Sequence, residues 1–545
     1  MINKKIIKEN IFEIILLVLF FLIFVLIGPS NILNHKIQHE HPYNILASDA
    51  AGEISYVEGL VQQGNYRYTS PAHCAGFDDC IGFLPFLFQH LSAIFSFTSG
   101  LETYNINILF TSIFLFLSCT ITFLIIRRWN KQISYLSLPL MLFLFKPQFR
   151  IGLMWGWYDV IIASSFVLIG IYFLMDKDLE NKWIVLSILI AASFITHIYE
   201  MFYLVTIYFT YFIIRTITNK KIEYITLTFF TKTGILTAIL IFYYAVIFKL
   251  TYASPKLFGA VTKVEWYHAL FSHFLILKYV IIAGLIISPF LFKNRGRVPI
   301  LMGFFFLVFG LNPFHLSLIR AFQVRYLWPI YLAVFFGICV YFILKMIKLN
   351  KKIISFSIGL VLLVVISFAY YEPLANVGLI DKDHWNAFEW IKESTDEDAK
   401  IVIMYGDMYN QDAITWNSFR TVFRVLESSF IQNMEENKIT KFFKGRIPNP
   451  SDVGFAYWKS FLNVGRHKEE EDESYFKGEK NICIFDYLLF DKVSRQPVLA
   501  QYNLILANKL IESKNFGIAY QNDEVIILEN INFNENCIEE GKINE

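Results

Sequence analysis

Residues 106–126 read INILFTSIFLFLSCTITFLII and are followed at once by Arg127 and Arg128. In an α-helix such a run extends about 31 Å, which matches the thickness of the hydrocarbon core of a bilayer. Similar apolar runs recur along the 545 residues, of which 55% are hydrophobic and only 17% are charged. The sequence therefore predicts a polytopic α-helical membrane protein and excludes a cytosolic enzyme, a disordered scaffold and a small disulfide-stapled protein.

Charge is divided unevenly along the chain. Residues 372–545 carry 19 Lys and Arg against 30 Asp and Glu, a net charge of −11, whereas the preceding part carries +13. This division predicts a transmembrane domain over residues 1–370, with a first exterior loop over 29–104, and a soluble α/β domain over 371–545. The basic residues stand in short groups at the ends of apolar runs, which indicates membrane topology and not a nucleic-acid partner.

The basic groups also set the orientation, because Lys and Arg near short loops are retained on the cytoplasmic side. If the run from Trp183 to Ile214 crossed the membrane once, Arg215 would end up outside. We therefore predict two helices that turn back between Thr196 and Glu200, and eleven membrane helices in all. The resulting topology is a multi-pass plasma-membrane protein with a cytoplasmic N-terminus and an extracytoplasmic C-terminal domain.

The C-terminal part shows helical and strand patterns in alternation. Helical spacing predicts helices at His384–Ser394 and Leu504–Ser513. Short apolar runs predict strands at Lys400–Tyr405, Asn481–Phe485 and Glu524–Leu528. These elements together predict one α/β domain on the exterior side.

Cysteine usage points to an exported loop and not to a zinc site. Cys119 and Cys339 lie within apolar runs and are interpreted as packing residues. Cys74 and Cys80 stand six residues apart in the first exterior loop. Because an exported pair can oxidise, these two cysteines are candidates for a disulfide.

Ionisable side chains at a membrane border are costly unless they are hydrated, paired or used, so their positions carry information. The predicted topology brings nine of them from distant parts of the chain to the exterior border: Asp49, Glu53, Arg150, Asp159, His197, Glu200, His315, Arg320 and Arg325. Simpler roles are also open to them. The acids can cap helices, His197 can bond a neighbouring helix, and the arginines can reach lipid headgroups.

Several stretches resemble the GT-C superfamily of integral-membrane glycosyltransferases, which includes oligosaccharyltransferase catalytic subunits and protein O-mannosyltransferases. The resemblance rests on the first exterior loop (SDAAGEISYVEGLVQQGNY, 48–66, and GFLPFLFQHLSAIFSFTSG, 82–100), the Thr196-His197 helix tip, RYLWPIYLA (325–333), and WIKESTDEDAKIVIMYGD (390–407). The segment Tyr405–Tyr409 lacks a WWDYG-type signature, which argues against an oligosaccharyltransferase proper.

The resemblance implies transfer of a sugar from a polyprenyl-phosphate-linked donor to a glycan, lipid or protein acceptor in the cell envelope. A leaving phosphate needs cationic donors, and arginine binds phosphate through two parallel N–H groups, so Arg320 and Arg325 are the candidates. The acceptor hydroxyl must lose a proton, for which Asp49 is the candidate base and Glu53 its partner or substitute. One base suffices for direct displacement with inversion at the sugar carbon.

Supporting roles fall to Arg150, Asp159, His197 and Glu200. If a divalent cation takes part, oxygen ligands from Asp49, Asp159 and Glu200 suit Mg²⁺ or Mn²⁺. Two other functions remain open at this point. The protein can be a transporter or flippase for a lipid-linked or anionic solute, or a non-catalytic membrane scaffold.

Overall fold

The fold is described from a computed structural model. It covers most of the predicted membrane helices and much of the acidic tail. The described residues are 10–29, 48–64, 80–82, 87–176, 179–219, 224–242, 271–292, 296–313, 316, 319–349, 351–369, 371, 380–404, 410–424, 434–435, 453–455, 482–493 and 497–532.

Helices dominate the part before residue 370. In chain order they are α1 (Ile11–Ile27), α2 (Ser48–Gln63), α3 (Leu87–Ser99), α4 (Thr103–Trp129), α5 (Lys131–Ser137, continued by a 3₁₀ helix at Leu138–Phe145), α6 (Pro147–Met154), α7 (Tyr158–Phe173), α8 (Trp183–Thr196), α9 (Ile198–Asn219), α10 (Tyr224–Phe242), α11 (Leu277–Ile287), α12 (Arg297–Leu311), α13 (Ala321–Tyr326), α14 (Trp328–Tyr331), α15 (Ala333–Met346) and α16 (Lys352–Ala369). A short strand, β1 (Cys80–Gly82), lies between α2 and α3.

Among the described residues, four helices are long and apolar enough to cross a bilayer alone: Thr103–Trp129, Ile198–Thr218, Trp328–Met346 and Lys352–Ala369. Helices α6 and α7 meet at a bend of 105° and would make a fifth span if counted together. Other apolar helices have 10–17 residues and are too short to cross without tilting or bilayer thinning. The chain is a multi-pass membrane protein, while the count of eleven spans stays a prediction.

The predicted break in the run from Trp183 to Ile214 is confirmed. Helix α8 ends at Thr196 and α9 begins at Ile198, with His197 between them in an extended conformation. The requirement that the basic groups stay on the cytoplasmic side predicted this break. No glycine or proline in the sequence marks it.

Helices α4 and α7 run parallel. The hydroxyls of Ser118 and Ser165 lie 2.7 Å apart midway, and Arg128 pairs with Asp176 where both helices end. Near their beginnings, Tyr104 and Tyr158 are both buried. The intervening α5 must therefore return across the bundle, as the alternation of predicted spans requires.

The two ends of the bundle differ in chemistry. At one end the buried carboxylate of Glu13 lies 2.9 Å from Lys131 Nζ and 3.5 Å from Arg127 Nε, and Lys352 lies over the Phe12 ring. We call this the basic end. We call the other end, formed by α2, α3 and the first residues of α7, α9 and α13, the polar end.

The described residues of the tail form a five-stranded mixed sheet and three α-helices of eight or more residues. They are α17 (Lys382–Ser394), β2 (Lys400–Ile403), α18 (Asn410–Ser418), β3 (Thr421–Arg424), β5 (Tyr487–Asp491), α19 (Pro497–Glu512), β6 (Phe516–Gln521) and β7 (Val525–Asn530). The strand order is β3-β2-β5-β7-β6, in which β3, β2 and β5 are parallel and the two β7 pairings are antiparallel. A separate strand, β4 (Val453–Phe455), pairs with β1.

Most predicted tail elements are present, but the strand at Asn481–Phe485 is wrong. Residues Ile482–Ile484 form a 3₁₀ turn, and the strand follows at Tyr487–Asp491. Leu488, Leu489 and Phe490 are almost fully buried, so this central strand reads as one continuous apolar run. Both segments are short apolar runs, and sequence periodicity alone does not distinguish a strand from a turn there.

The tail packs on the polar end. Helix α18 lies against α2, and the Trp416 ring stacks on Tyr104 of α4 with centroids 6.0 Å apart. Cys80 of β1 pairs in register with Phe455 of β4. Cys483 is disulfide-bonded. The predicted Cys74–Cys80 disulfide falls outside the described side chains.

Candidate active site

A carboxylate, an imidazole and a second carboxylate meet where α8 breaks into α9. His197 Nδ1 contacts Glu200 Oε2, and its Nε2 lies 4.0 Å from Asp159 Oδ2 in the first turn of α7. The break places them because His197 leaves the helix and Glu200 follows one turn later. Three of the predicted polar residues are thus brought together.

Arg320 adds a cation at the same place. Its backbone N–H donates to the Tyr203 hydroxyl at 3.1 Å, and its guanidinium carbon lies 4.9 Å from the centre of the Tyr199 ring. Arg320 is exposed, whereas Glu200 is 2% and Tyr203 2% exposed. The exposed guanidinium of Arg320 therefore lies beside the buried side chains of Glu200 and Tyr203.

Glu53 joins this group through α2 and α3. It is buried, and its Oε2 accepts a 2.6 Å hydrogen bond from Gln89 Nε2. The neighbouring Phe88 ring lies 5.6 Å from the ring of Tyr158, the residue before Asp159. Asp49 lies one turn before Glu53 on α2, and its side chain is outside the described residues.

Arg325 and Arg150 are held differently from Arg320. Arg325 is 3% exposed, and its Nε donates to the Gly310 carbonyl at 2.6 Å. Gly310 is required there, because an added Cβ would lie 2.5 Å from the indole of Trp328. Arg325 thus ties the end of α12 to α13.

Arg150 is 5% exposed and lines a small cavity with Gln323, Trp157 and Tyr326. The cavity has about 20 Å³, which is room for about one water molecule. It is therefore too small to hold a sugar or a phosphate as it stands.

The sequence did not predict Tyr199, Tyr203 and Gln89 as residues of this site. Tyr199 and Tyr203 follow His197 at spacings that place them beside it on α9, but they read as ordinary interface aromatics. Gln89 lies within the exterior loop sequence 82–100 that was singled out, and only the fold reveals that it donates to Glu53.

A second polar cluster lies in the tail, and the sequence did not predict it. His384 Nδ1 is 2.7 Å from Asp381 Oδ2 and 3.4 Å from Glu524 Oε2, and its Nε2 is 2.8 Å from Asp491 Oδ1. Asp381 also caps α17, since its Oδ1 accepts the His384 N–H at 2.8 Å. The i, i+3 spacing of Asp381 and His384 was the one signal in the sequence.

These tail groups shift one another's pKa. Burial opposes protonation of His384, but hydrogen bonds with Asp381 and Asp491 outweigh it and raise its pKa to about 10. The hydrogen bond with Asp381, together with burial, raises the pKa of Glu524 to about 7. Burial raises the pKa of Asp381, yet the hydrogen bond from His384 prevails and lowers it.

Metal-ligand geometry occurs in this tail cluster. One ligand atom from each of Asp381, His384 and Glu524 lies within 4.8 Å of the others, which is the one such group among the described residues. Of the predicted metal ligands at the polar end, Asp159 and Glu200 both lie near His197, and the Asp49 side chain is not described.

Comparison with known proteins shows similarity of structure and not of sequence. No protein-family model and no curated protein sequence matches this chain. ArnT from Cupriavidus metallidurans bound to undecaprenyl phosphate superposes with a TM-score of 0.58 at 8% identity, over 95% of this chain and 98% of that one. Its apo structure gives 0.54 at 9% identity, over 96% and 98% of the two chains.

An archaeal enzyme shares the architecture too. The oligosaccharyltransferase AglB from Archaeoglobus fulgidus, in complex with an inhibitory peptide and a dolichol-phosphate, superposes with a TM-score of 0.51 at 12% identity. The match covers 94% of this chain and 73% of AglB. The described helices and the tail sheet therefore follow an architecture found in solved membrane proteins.

Proposed function

Because this chain has the fold of the GT-C superfamily glycosyltransferases, we propose that it is a membrane glycosyltransferase. It would move a sugar from a polyprenyl-phosphate-linked donor to an acceptor on the extracytoplasmic face. The observation that carries the proposal is the polar end itself, where exposed Arg320 stands over Asp159, His197 and Glu200.

The donor phosphate is assigned to Arg320. ArnT was solved with undecaprenyl phosphate and AglB with dolichol-phosphate, so this fold accommodates lipid phosphates. A guanidinium binds phosphate through paired N–H groups and stays charged, and Arg320 is the accessible one. Arg325 is assigned a supporting positive charge, while its Nε donates to the Gly310 carbonyl.

Acceptor activation is assigned to Asp49, with Glu53 as its partner on the same face of α2. The acceptor oxygen attacks the anomeric carbon, the bond from that carbon to the phosphate oxygen breaks, and the hydroxyl proton passes to the carboxylate. The lipid phosphate leaves with the electron pair, and the sugar is transferred with inversion. The Gln89 hydrogen bond keeps Glu53 oriented beside the site.

A divalent cation would find oxygen donors in Asp49, Asp159 and Glu200. Such an ion would neutralise the developing phosphate charge. The roles assigned to Arg320 and to the carboxylates do not depend on it.

Two features support an extracytoplasmic site. The basic end, with Glu13, Arg127 and Lys131, lies opposite the polar end, as retention of positive charge in the cytoplasm requires. The tail that covers the polar end contains the disulfide-bonded Cys483, and disulfides persist in oxidising compartments.

Transfer from a lipid-linked sugar tests the proposal. The purified full-length protein, reconstituted in proteoliposomes, is supplied with a panel of radiolabelled polyprenyl-phosphate sugars and with glycan, lipid and peptide acceptors. Release of polyprenyl phosphate and transfer of label to the acceptor are measured. We expect Asp49→Asn to lower transfer at least 100-fold, in the range of a lost general base.

Glu58→Gln is the matched control, because Glu58 lies on the same helix but accepts hydrogen bonds from Gln62 and Thr103. Its variant should transfer at close to the wild-type rate. Equal transfer by Asp49→Asn and the wild type would overturn the assignment of the base. Movement of the intact donor across the bilayer without cleavage would overturn the reaction and identify a flippase.

A further inference from the structure

Three carboxylates converge on one imidazole in the tail. They come from three separate elements: Asp381 directly before α17, Asp491 at the end of β5, and Glu524 in the turn between β6 and β7. His384 is 5% exposed and Asp491 is 2% exposed, so the centre of the cluster is out of water. The cluster lies outside the site proposed for sugar transfer.

Negative groups outnumber positive ones among the described residues of this cluster. A protonated imidazole neutralises one of the three carboxylates that surround it. The adjacent Lys492 directs its ammonium to the Asn522 carbonyl. Carboxylates that crowd together are stabilised by a cation, and a divalent ion compensates more of this charge than a proton does.

The hydrogen bonds of the imidazole fit a metal ligand. Nε2 lies 2.8 Å from Asp491 Oδ1, which would keep the proton on Nε2 when a metal binds the other nitrogen, and Nδ1 faces Asp381 and Glu524. A buried carboxylate on the far nitrogen of a ligating histidine is the common arrangement around zinc, and it orients the ring. Asp491 would therefore be the orienting residue and Nδ1 the ligand atom.

The distances fit tetrahedral zinc after a small movement. With bonds of 2.0–2.1 Å, the ligand atoms of a tetrahedral site are about 3.3 Å apart. The separation of 3.4 Å between Nδ1 and Glu524 meets this value, whereas Asp381 at 2.7 Å must move out by about 0.6 Å. The Asp381 side chain is 46% exposed, so it has room to do so.

We propose that Asp381, His384 and Glu524 bind one Zn²⁺ ion, with water as the fourth ligand. The ion takes the place of the proton at Nδ1, so binding releases a proton. It clamps α17 to the β6–β7 turn, while Asp491 of β5 stays bonded to the other nitrogen of the same imidazole. Because Trp385 of α17 packs against Trp416, whose ring stacks on Tyr104, the clamp holds the layer that covers α2.

Zinc binding by the whole protein tests the site. Full-length protein in detergent is stripped with a chelator and dialysed against buffered ZnCl₂, and bound zinc is measured by mass spectrometry together with the melting temperature. The wild type should bind one ion more than Glu524→Gln and melt higher with zinc than without it. Other histidines of the chain contribute equally to both proteins, so the difference isolates the site.

Three further variants keep the test decisive. Asp381→Asn preserves the helix cap, because asparagine caps as well as aspartate, yet it should lose the ion. Asp491→Asn should weaken zinc affinity about 10- to 100-fold, as expected for an orienting residue. Asp383→Asn, in the same first turn, should bind like the wild type.

Equal zinc content and equal melting shifts in the wild type and Glu524→Gln would overturn the proposal. This outcome is independent of sugar transfer, since zinc content is read without a substrate. Conversely, a protein that binds zinc here but transfers no sugar would retain the site and lose the proposed reaction.

Discussion

Replacing Arg320 with alanine separates the proposed catalytic role from the fold. The substitution leaves the backbone hydrogen bond from residue 320 to the Tyr203 hydroxyl, 3.1 Å long, in place. What it removes is the guanidinium over the Tyr199 ring, 4.9 Å from its centre. A cation–π contact at an exposed position contributes about 0.5–1 kcal/mol, so we expect the free energy of unfolding to fall by no more than that.

The effect on the reaction should be several times larger. Removing one donor that stabilises developing negative charge costs about 10²- to 10³-fold in rate, or about 2.7–4 kcal/mol of transition-state stabilisation. Arg320→Lys should recover part of the loss, because lysine restores the charge without the paired N–H groups. A merely structural role for Arg320 predicts no such gap between stability and rate.

The assay combines transfer from a lipid-linked sugar in proteoliposomes with the melting temperature of the same preparations. Lys345→Ala is the control for loss of an exposed cation, since Lys345 lies in the last turn of α15. Transfer by Arg320→Ala within threefold of the wild type, at an unchanged melting temperature, would refute the reasoning.

Two predictions concern packing. Gly284→Ala should lower the free energy of unfolding by about 2 kcal/mol or more, because its Cβ would lie 1.8 Å from the Phe335 carbonyl oxygen. Gly234→Ala is the control and should be neutral or stabilising, because its Cβ would have nothing within 4 Å. Equal melting temperatures of the two variants would contradict this prediction. Trp416→Ala should detach the tail, because it removes the ring stacked on Tyr104. Limited proteolysis should then cleave the tail faster than in the wild type. An unchanged cleavage rate would count against this contact.

The polytopic helical class of the membrane part could be predicted because hydrophobic length and charge act locally. The break between Thr196 and Glu200 followed from the positions of Arg215, Lys220 and Lys221, and the structure places it at His197. The local sequence does not determine how deeply a side chain is buried in the fold. Arg320 and Arg325 looked equivalent, yet one is exposed and the other is buried against Gly310, because that difference depends on how α12 meets α13.

In the tail, the secondary structure was predicted better than the polar cluster. Amphipathic α17 and strand β7 were predicted from their own residues, but the cluster around His384 was not. Its partners Asp491 and Glu524 lie 107 and 140 residues further along the chain, and only the strand order brings them together. A lone histidine in an amphipathic helix gives no sign of such partners.

The stacking of Trp416 on Tyr104 also has a consequence for biosynthesis. The two rings are separated by 312 residues (416 − 104), so at about 5–20 residues per second the ribosome delivers the second one about 15–60 s after the first. During that interval the Tyr104 ring lacks the partner that stacks on it in the folded protein. Chains whose tail misfolds keep this face open to proteases, so tail defects should lower the cellular abundance of the entire protein.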